Sequence, residues 1–243
     1  MNELIEWISR ERPSRVVVLT GAGVSAESGI PTFRGQGGLW EKYSLEDLAT
    51  PEGFAKDPEL VWRWYEWRRS AVRKASPNAA HRAIADLETS GRLDEFLLVT
   101  QNVDELHRRA GSERIIELHG SIVRSRCVEE GTTASSLDPF DVLPPACSCG
   151  SLMRPDVVWF GEALSIADLQ KAAEVAERSD LLMVVGTSAQ VWPAAGIAYH
   201  ARGKTVEVNP EQTAYSEHAD FVIPRPAAEA VPVIVEAILE ARS

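Results

Sequence analysis

The sequence predicts an α/β protein built on a doubly wound parallel sheet with a small inserted lobe. Three observations lead there. Short runs rich in β-branched residues recur at 16–20, 96–100, 114–118, 181–186, 205–209 and 221–224, and helical patterns lie between most of them. A glycine pair, Gly21 and Gly23, follows the first run at once. Strands separated by helices make a parallel sheet covered on both faces, and such sheets bind ligands at the carboxyl ends of their strands.

Taken in order, the first ten residues, with Glu3 and Glu6, read as the start of an amphipathic helix, not as the basic-then-apolar pattern of a signal peptide. Arg15-Val-Val-Val-Leu-Thr20 reads as a fully buried strand. Glycine directly after it lets backbone N–H groups approach a phosphate with no Cβ in the way, as in Rossmann-like nucleotide sites. Residues 35–77 form a helical insertion. Within it Asp57 followed by Pro58 is a helix start, and the helix over 59–74 puts Tyr65 and Arg68 in one row with Val61 and Val72. Asn78 caps a helix over 79–88. Gln101, Asn102 and Asp104 leave the second strand, where Asp104 also reads as an N-cap. His119 and Gly120 end the third strand. Residues 125–153 are a loop-rich insertion holding Pro144-Pro145 and all three cysteines, and helices over 167–177 and 227–241 complete the alternation. The nucleotide domain is thus assigned to 1–34, 78–124 and 154–243, and the two insertions to the small lobe.

A formal net charge of −11 argues against a nucleic-acid surface, which needs clustered Lys and Arg, while leaving basic partners favourable. No segment reaches the roughly 18 to 20 apolar residues of a membrane span. The expected location is cytoplasmic, and a monomer is the default. Cys127, Cys147 and Cys149 cannot form a paired disulfide framework, and their clustering points to a metal site or its remnant.

The string Thr20-Gly-Ala-Gly-Val-Ser-Ala-Glu-Ser-Gly-Ile-Pro-Thr-Phe-Arg-Gly35 resembles the sirtuin family of NAD-dependent protein deacylases. The resemblance continues through Thr100-Gln-Asn-Val-Asp104, Leu118-His-Gly120, Arg154-Pro-Asp-Val-Val-Trp-Phe-Gly-Glu162, Gly186-Thr-Ser188 and Val208-Asn-Pro210, and so covers nearly the whole chain. It implies NAD as cofactor and acyl-lysine proteins or peptides as substrates. It makes His119 the general base, and an imidazole with a pKa near ~6.5 suits proton transfer at neutral pH. It places Asn102 and Asp104 by the nicotinamide and its ribose, with Gln101 on a ribose hydroxyl. Gly21, Ala22, Gly23, Ser25 and Arg34 serve the cofactor loop, and Phe33 covers the reaction centre once nicotinamide leaves. Gly186, Thr187, Ser188, Asn209 and Pro210 serve the adenosine half. Val158, Phe160 and Gly161 flank the acyl-lysine tunnel, with substrate pairing along this edge by β-addition. Val158 supplies the carbonyl for the lysine N–H, and Val191 lies on the opposite wall.

Tyr65 and Arg68 resemble the pair by which one class of sirtuins holds the distal carboxylate of succinyl, malonyl or glutaryl groups. Arginine suits that task because its planar fork binds a carboxylate bidentately. The pair implies a desuccinylase or demalonylase with weaker deacetylase activity; the other reading of these residues is a packed tyrosine and a surface charge among Arg63, Arg69 and Arg73. The zinc pattern of the family is broken here. Glu130 stands where a second cysteine is usual and Cys147-Ser-Cys149 is contracted, so three thiolates lack a certain fourth ligand and zinc is left open. Two rival functions remain: an NAD glycohydrolase or ADP-ribosyltransferase on the same site, and a non-catalytic NAD-sensing module.

Overall fold

A computed structural model describes residues 1–33 and 38–243. The chain enters with helix α1 (Asn2–Glu11) and strand β1 (Arg15–Thr20), passes through α2 (Leu45–Leu48), α3 (Pro51–Lys56) and α4 (Pro58–Lys74), and returns by α5 (Ala79–Thr89) to β2 (Glu95–Thr100). Helix α6 (Leu106–Ala110) and strands β3 (Ile115–Glu117), β4 (Gly120–Cys127), β5 (Thr133–Ser135) and β6 (Met153–Val157) follow. The chain closes through α7 (Ile166–Arg178), β7 (Leu181–Val185), β8 (Lys204–Val208), β9 (Phe221–Ile223) and α8 (Ala227–Ala241).

Six strands make one parallel sheet in the order β3-β2-β1-β7-β8-β9, with Val18 opposite Leu98 on one side and Met183 on the other. Side chains alternate between its faces. Val16 and Val18 join a core made with α1, α5 and α8, whereas Val17 and Leu19 join a second core made with α7 and the 3-10 segment Ala194–His200. Both faces are therefore apolar, which is why the strands read as continuous hydrophobic runs. The order reverses between β1 and β7, and the crevice beyond their carboxyl ends is where doubly wound sheets bind ligands.

Strands β5, β4 and β6 form a separate antiparallel sheet, in which Gly120 pairs with Val157 and Cys127 with Met153. Strand β4 crosses the boundary expected at 124/125, and β6 crosses that expected at 153/154, with four of its five residues in the segment assigned to the nucleotide domain. Pairing between segments this far apart leaves no local pattern. The sheet shares one apolar core with α4, from Val61, Trp62 and Tyr65 to Ile122 and Trp159. Helix α4 starts as expected, Asp57 accepting from Leu60 N–H at 2.9 Å. Arg69, named among the surface charges in the alternative reading of Arg68, is buried. Its guanidinium donates to the carbonyls of Ile122, Ser136 and Asp138 and pairs with Glu66, tying the helix to the small sheet.

Residues 158–162, which the resemblance assigns to the acyl-lysine tunnel, lie beyond the last strand of the small sheet. The ladder ends at Val157, and Glu162 turns the chain by accepting Trp159 N–H at 2.8 Å. Among the described residues no helix is long and apolar enough to cross a membrane.

Candidate active site and metal centre

A cleft of about 720 Å³ opens beyond the carboxyl ends of β1 and β7 and runs to the small sheet. The turn after β1 and the turn after β7 form its floor, and their glycines have a different use from the one expected. Gly21 N–H donates to Val185 and Gly23 N–H to Gly186, at 3.0 and 2.8 Å, so neither is free for a phosphate. A Cβ on Gly23 would come within 2.7 Å of the Gly186 backbone, and Gly186 itself has φ +60° with Val24 N 2.4 Å from where its Cβ would be. These glycines let two loops interlock. Ala22 and Gly23 line the cleft with Thr187, Ser188, Asn209 and Pro210 opposite them. Gln101 Nε2 donates to Thr187 Oγ1 at 3.0 Å and Asn209 Nδ2 to the Thr187 carbonyl at 3.1 Å, which fixes that wall.

His119 lines the cleft's middle. Its Nδ1 lies 2.9 Å from the Gln101 carbonyl, which can only accept, so Nδ1 carries the proton and Nε2 keeps a free lone pair. Burial pushes the imidazole below its usual pKa, opposed by that hydrogen bond. The ring is thus a neutral base near pH 7.

Asn102 and Gln101 line the cleft, whereas Ser25 and Asp104 do not. Ser25 is fully buried and centres a polar network: its Oγ accepts from Asn102 Nδ2 at 3.2 Å, lies 3.3 Å from His81 Nε2 and bonds to Asp104. His81 Nδ1 accepts from Asn78 N–H, so the neutral ring presents Nε2–H to Ser25. Burial holds the His81 pKa at about 4, raises that of Asp104, and lowers that of His107, whose ring lies tilted with its centroid 4.6 Å from that of His81. Asp104 also accepts from Leu106 N–H at 2.9 Å, satisfying the start of α6 from one residue before its cap. Sequence reasoning missed His81, because nothing local shows that a residue in the first turn of a helix will face Ser25, 56 positions earlier. Asp104 faces a smaller cavity of about 30 Å³ beside the cleft, walled also by Ile30, Phe33, Arg68 and Asn102.

The cleft's other end is aromatic. Tyr65 is 2% exposed and its Oη accepts from Trp159 Nε1 at 2.9 Å. The Arg68 guanidinium, half-buried, lies 4.8 Å from the Phe33 ring, 4.7 Å from Trp64 and 5.3 Å from Tyr65. Of the arginines on α4, Arg63, Arg69 and Arg73 each pair with a glutamate on the same helix. Among the described residues no carboxylate lies within ion-pair distance of Arg68. Burial lowers its pKa, against the attraction of Tyr65 and the more distant Asp104. Val158, Phe160, Gly161 and Val191 line the same cleft, and Val158 N–H donates to the His119 carbonyl at 3.0 Å. The predicted cofactor-loop residue Arg34 lies outside the described residues.

In the small lobe the donor atoms of Cys127, Glu130, Cys147 and Cys149 all lie within 4.8 Å of one another. Cys127 Sγ is 3.6 Å from Cys149 Sγ, and Cys147 Sγ is 3.9 Å from Glu130 Oε2. Tetrahedral ligands about 2.3 Å from zinc would stand about 3.8 Å apart, so the donor set fits such an ion despite the contracted Cys-Ser-Cys.

A doubly wound sheet, a glycine-interlocked cleft at its switch point and a neutral histidine within that cleft define an enzyme of the dinucleotide-binding class. The chain belongs to the Sir2 family, whose profile matches residues 21–193. It is 53% identical over 226 residues to NAD-dependent protein deacylase 2 of Pyrobaculum aerophilum, covering 91% of this chain and 90% of that one. It is 48% identical over 234 residues to the NAD-dependent protein deacylase of Thermococcus kodakarensis, with coverage of 91% and 90%. A solved Sir2 homologue bound to NAD superposes with a TM-score of 0.89 at 46% identity, covering 100% of this chain and 95% of that one. A Sir2 complex with a p53 peptide and NAD+ gives 0.83 at 32%, with coverage of 97% and 95%.

Proposed function

We propose that this protein is an NAD-dependent protein-lysine deacylase that prefers acyl groups ending in a carboxylate, such as succinyl, malonyl or glutaryl. Membership of the Sir2 family and the naming of its relatives support the reaction. A single observation carries the preference: Arg68 is a half-buried cation in an aromatic box, with no carboxylate within ion-pair distance among the described residues, in the cleft that also holds His119. Keeping a charge partly out of water is costly unless an anion arrives to pair with it. An acyl chain that reaches Arg68 with its own carboxylate supplies that anion, and acetyl does not.

When bound, NAD would supply the ribose carbon that takes up the acyl oxygen as nicotinamide leaves; one water, admitted after that step, would then be consumed as the amide C–N bond breaks, so that the products are nicotinamide, deacylated lysine and acyl-ADP-ribose. The interlocked turns, with Ala22, Gly23, Thr187, Ser188, Asn209 and Pro210, hold the dinucleotide. Asn102, fixed by Ser25, orients the nicotinamide end, and Asp104 completes the smaller cavity beside it. His119 Nε2 accepts the proton of the ribose hydroxyl. The Val158 carbonyl receives the N–H of the substrate lysine, Phe160 and Gly161 line its path, and Phe33 screens the reaction centre from water.

The direct test incubates the protein with succinyl-, butyryl- and acetyl-lysine peptides, with and without NAD. We expect NAD-dependent turnover fastest for succinyl-lysine. Butyryl-lysine turned over as fast would sink the preference, and NAD consumed equally without any peptide would favour a glycohydrolase.

We also propose that Glu130 joins the three cysteines as the fourth zinc ligand. Metal analysis of the purified protein should give about one zinc per chain by the four-ligand rule. In a chelator competition, Glu130→Cys should hold zinc more tightly and Glu130→Ala release it faster; metal-free protein as purified would remove the site.

A further inference from the structure

We propose that Trp159 is a positioning residue for acyl selection: its indole N–H fixes the Tyr65 hydroxyl so that the phenolic proton points at the acyl carboxylate beside Arg68. The inference rests on the acidic-acyl reading above and adds to it a residue that does not pair with the substrate's charge.

The argument is one of donors and acceptors. A phenol has one proton to give and lone pairs to receive, whereas indole Nε1–H can only donate and guanidinium N–H groups can only donate. Trp159 Nε1 lies 2.9 Å from Tyr65 Oη, and Arg68 also approaches that oxygen. The indole therefore occupies one lone pair of the hydroxyl, and neither neighbour can take the proton. Among the described residues nothing accepts it. The phenol is 2% exposed and the indole 3%, so water does not compete on the protein side. The proton is left the open direction, which is the cleft that Tyr65, Arg68 and Trp159 line together. An acyl carboxylate arriving there meets a neutral donor from Tyr65 and a charged one from Arg68.

Trp159 is itself clamped, as a positioning group must be. Its backbone N–H donates to Glu162 Oε2 at 2.8 Å, and its ring carries the Arg154 guanidinium 3.5 Å above it and packs 5.3 Å from Phe54. Arg154 in turn holds Glu162 bidentately at 2.6 and 2.8 Å and donates to the Val157 carbonyl at 2.9 Å. The indole cannot turn away without breaking this clamp. Its neighbours Val158 and Phe160 line the cleft, so one short turn sets both the acyl-lysine path and the hydroxyl that reads the acyl end.

The experiment measures kcat and KM for succinyl-lysine and butyryl-lysine peptides in the wild type, Trp159→Phe, Tyr65→Phe and the double variant. To cover a packing defect in Trp159→Phe, a second protein carries benzothienylalanine at position 159, which keeps the bicyclic shape and lacks the N–H. Loss of one oriented hydrogen bond to a charged group should lower the succinyl-over-butyryl preference about 10- to 150-fold, mainly through KM, in both Trp159 proteins and in Tyr65→Phe. The double variant should lose no more than Tyr65→Phe alone, because without the hydroxyl there is nothing left to orient. A wild-type preference that survives in both Trp159 proteins overturns the positioning role while leaving the acidic-acyl reading intact. Additive losses in the double variant, or a Tyr65→Phe protein with full preference, overturn it as well. A wild type with no preference overturns the acidic-acyl reading and takes this proposal with it.

Discussion

Arg68→Met is expected to cut kcat/KM for a succinyl-lysine peptide by about 30- to 5,000-fold, with a much smaller effect on acetyl-lysine. Removing one partner of a close charge pair costs about 2 to 5 kcal/mol, and each 1.36 kcal/mol is tenfold in rate. Methionine keeps a flexible apolar stem against Phe33, Trp64 and Tyr65, so the change removes charge more than packing. The half-buried cation it deletes has no ion-paired carboxylate among the described residues and only the more distant Asp104 to attract it, so the free enzyme should fold about as stably. The loss should therefore appear with succinyl-lysine and not in the melting temperature. Equal turnover of succinyl- and butyryl-lysine by both wild type and Arg68→Met would remove Arg68 from acyl selection.

The second large effect concerns His119. His119→Ala should lower kcat about 100- to 10,000-fold, the usual worth of a positioned general base. The proton on Nδ1 is fixed by the Gln101 carbonyl, so Nε2 is the only basic atom the ring offers. Burial lowers the imidazole pKa, which means the active neutral form persists to lower pH than an exposed histidine would allow. Activity should rise with pH through a midpoint below about 6.5, the unperturbed value, and the rising limb should vanish in His119→Ala. A midpoint above 7 in kcat/KM, or a limb unchanged by the substitution, would mean another group carries the proton. His81 and His107 are also buried, but they face Ser25 and Thr20 beneath the cleft and do not line it. Their protonation as the pH falls below about 6.5 would destabilise the fold, since the folded state holds them neutral. Monitoring folding alongside activity separates that loss from the titration of His119.

Much of the molecule was legible in the sequence because its determinants are local. A run such as Val16–Leu19 is apolar on both faces only if helices cover both faces, and Asp57-Pro58 and Asn78 mark helix starts by their own chemistry. The ends of strands were less legible. Gly186 was read as strand and instead leaves it at φ +60°, because the neighbouring turn at Gly23 needs the space its Cβ would fill. The burial of Arg69 was not legible, because composition cannot show which carbonyls a distant loop will present to it.

The sequence alone determined the doubly wound architecture, the glycine turn after the first strand, the histidine at the end of the third and the pairing of Tyr65 with Arg68 on one helical face. Each follows from periodicity or from the chemistry of neighbours in the chain. Only the tertiary structure decided how these pieces meet. It turned the phosphate-loop glycines into a lock between two turns and moved Ser25 from the cleft wall to a buried network. It also gathered a glutamate and three cysteines into one tetrahedral-sized group and set an indole N–H against Tyr65. The physical reason is the same in each case: hydrogen bonds and close packing between segments tens of residues apart are fixed by the fold, and no local pattern records them.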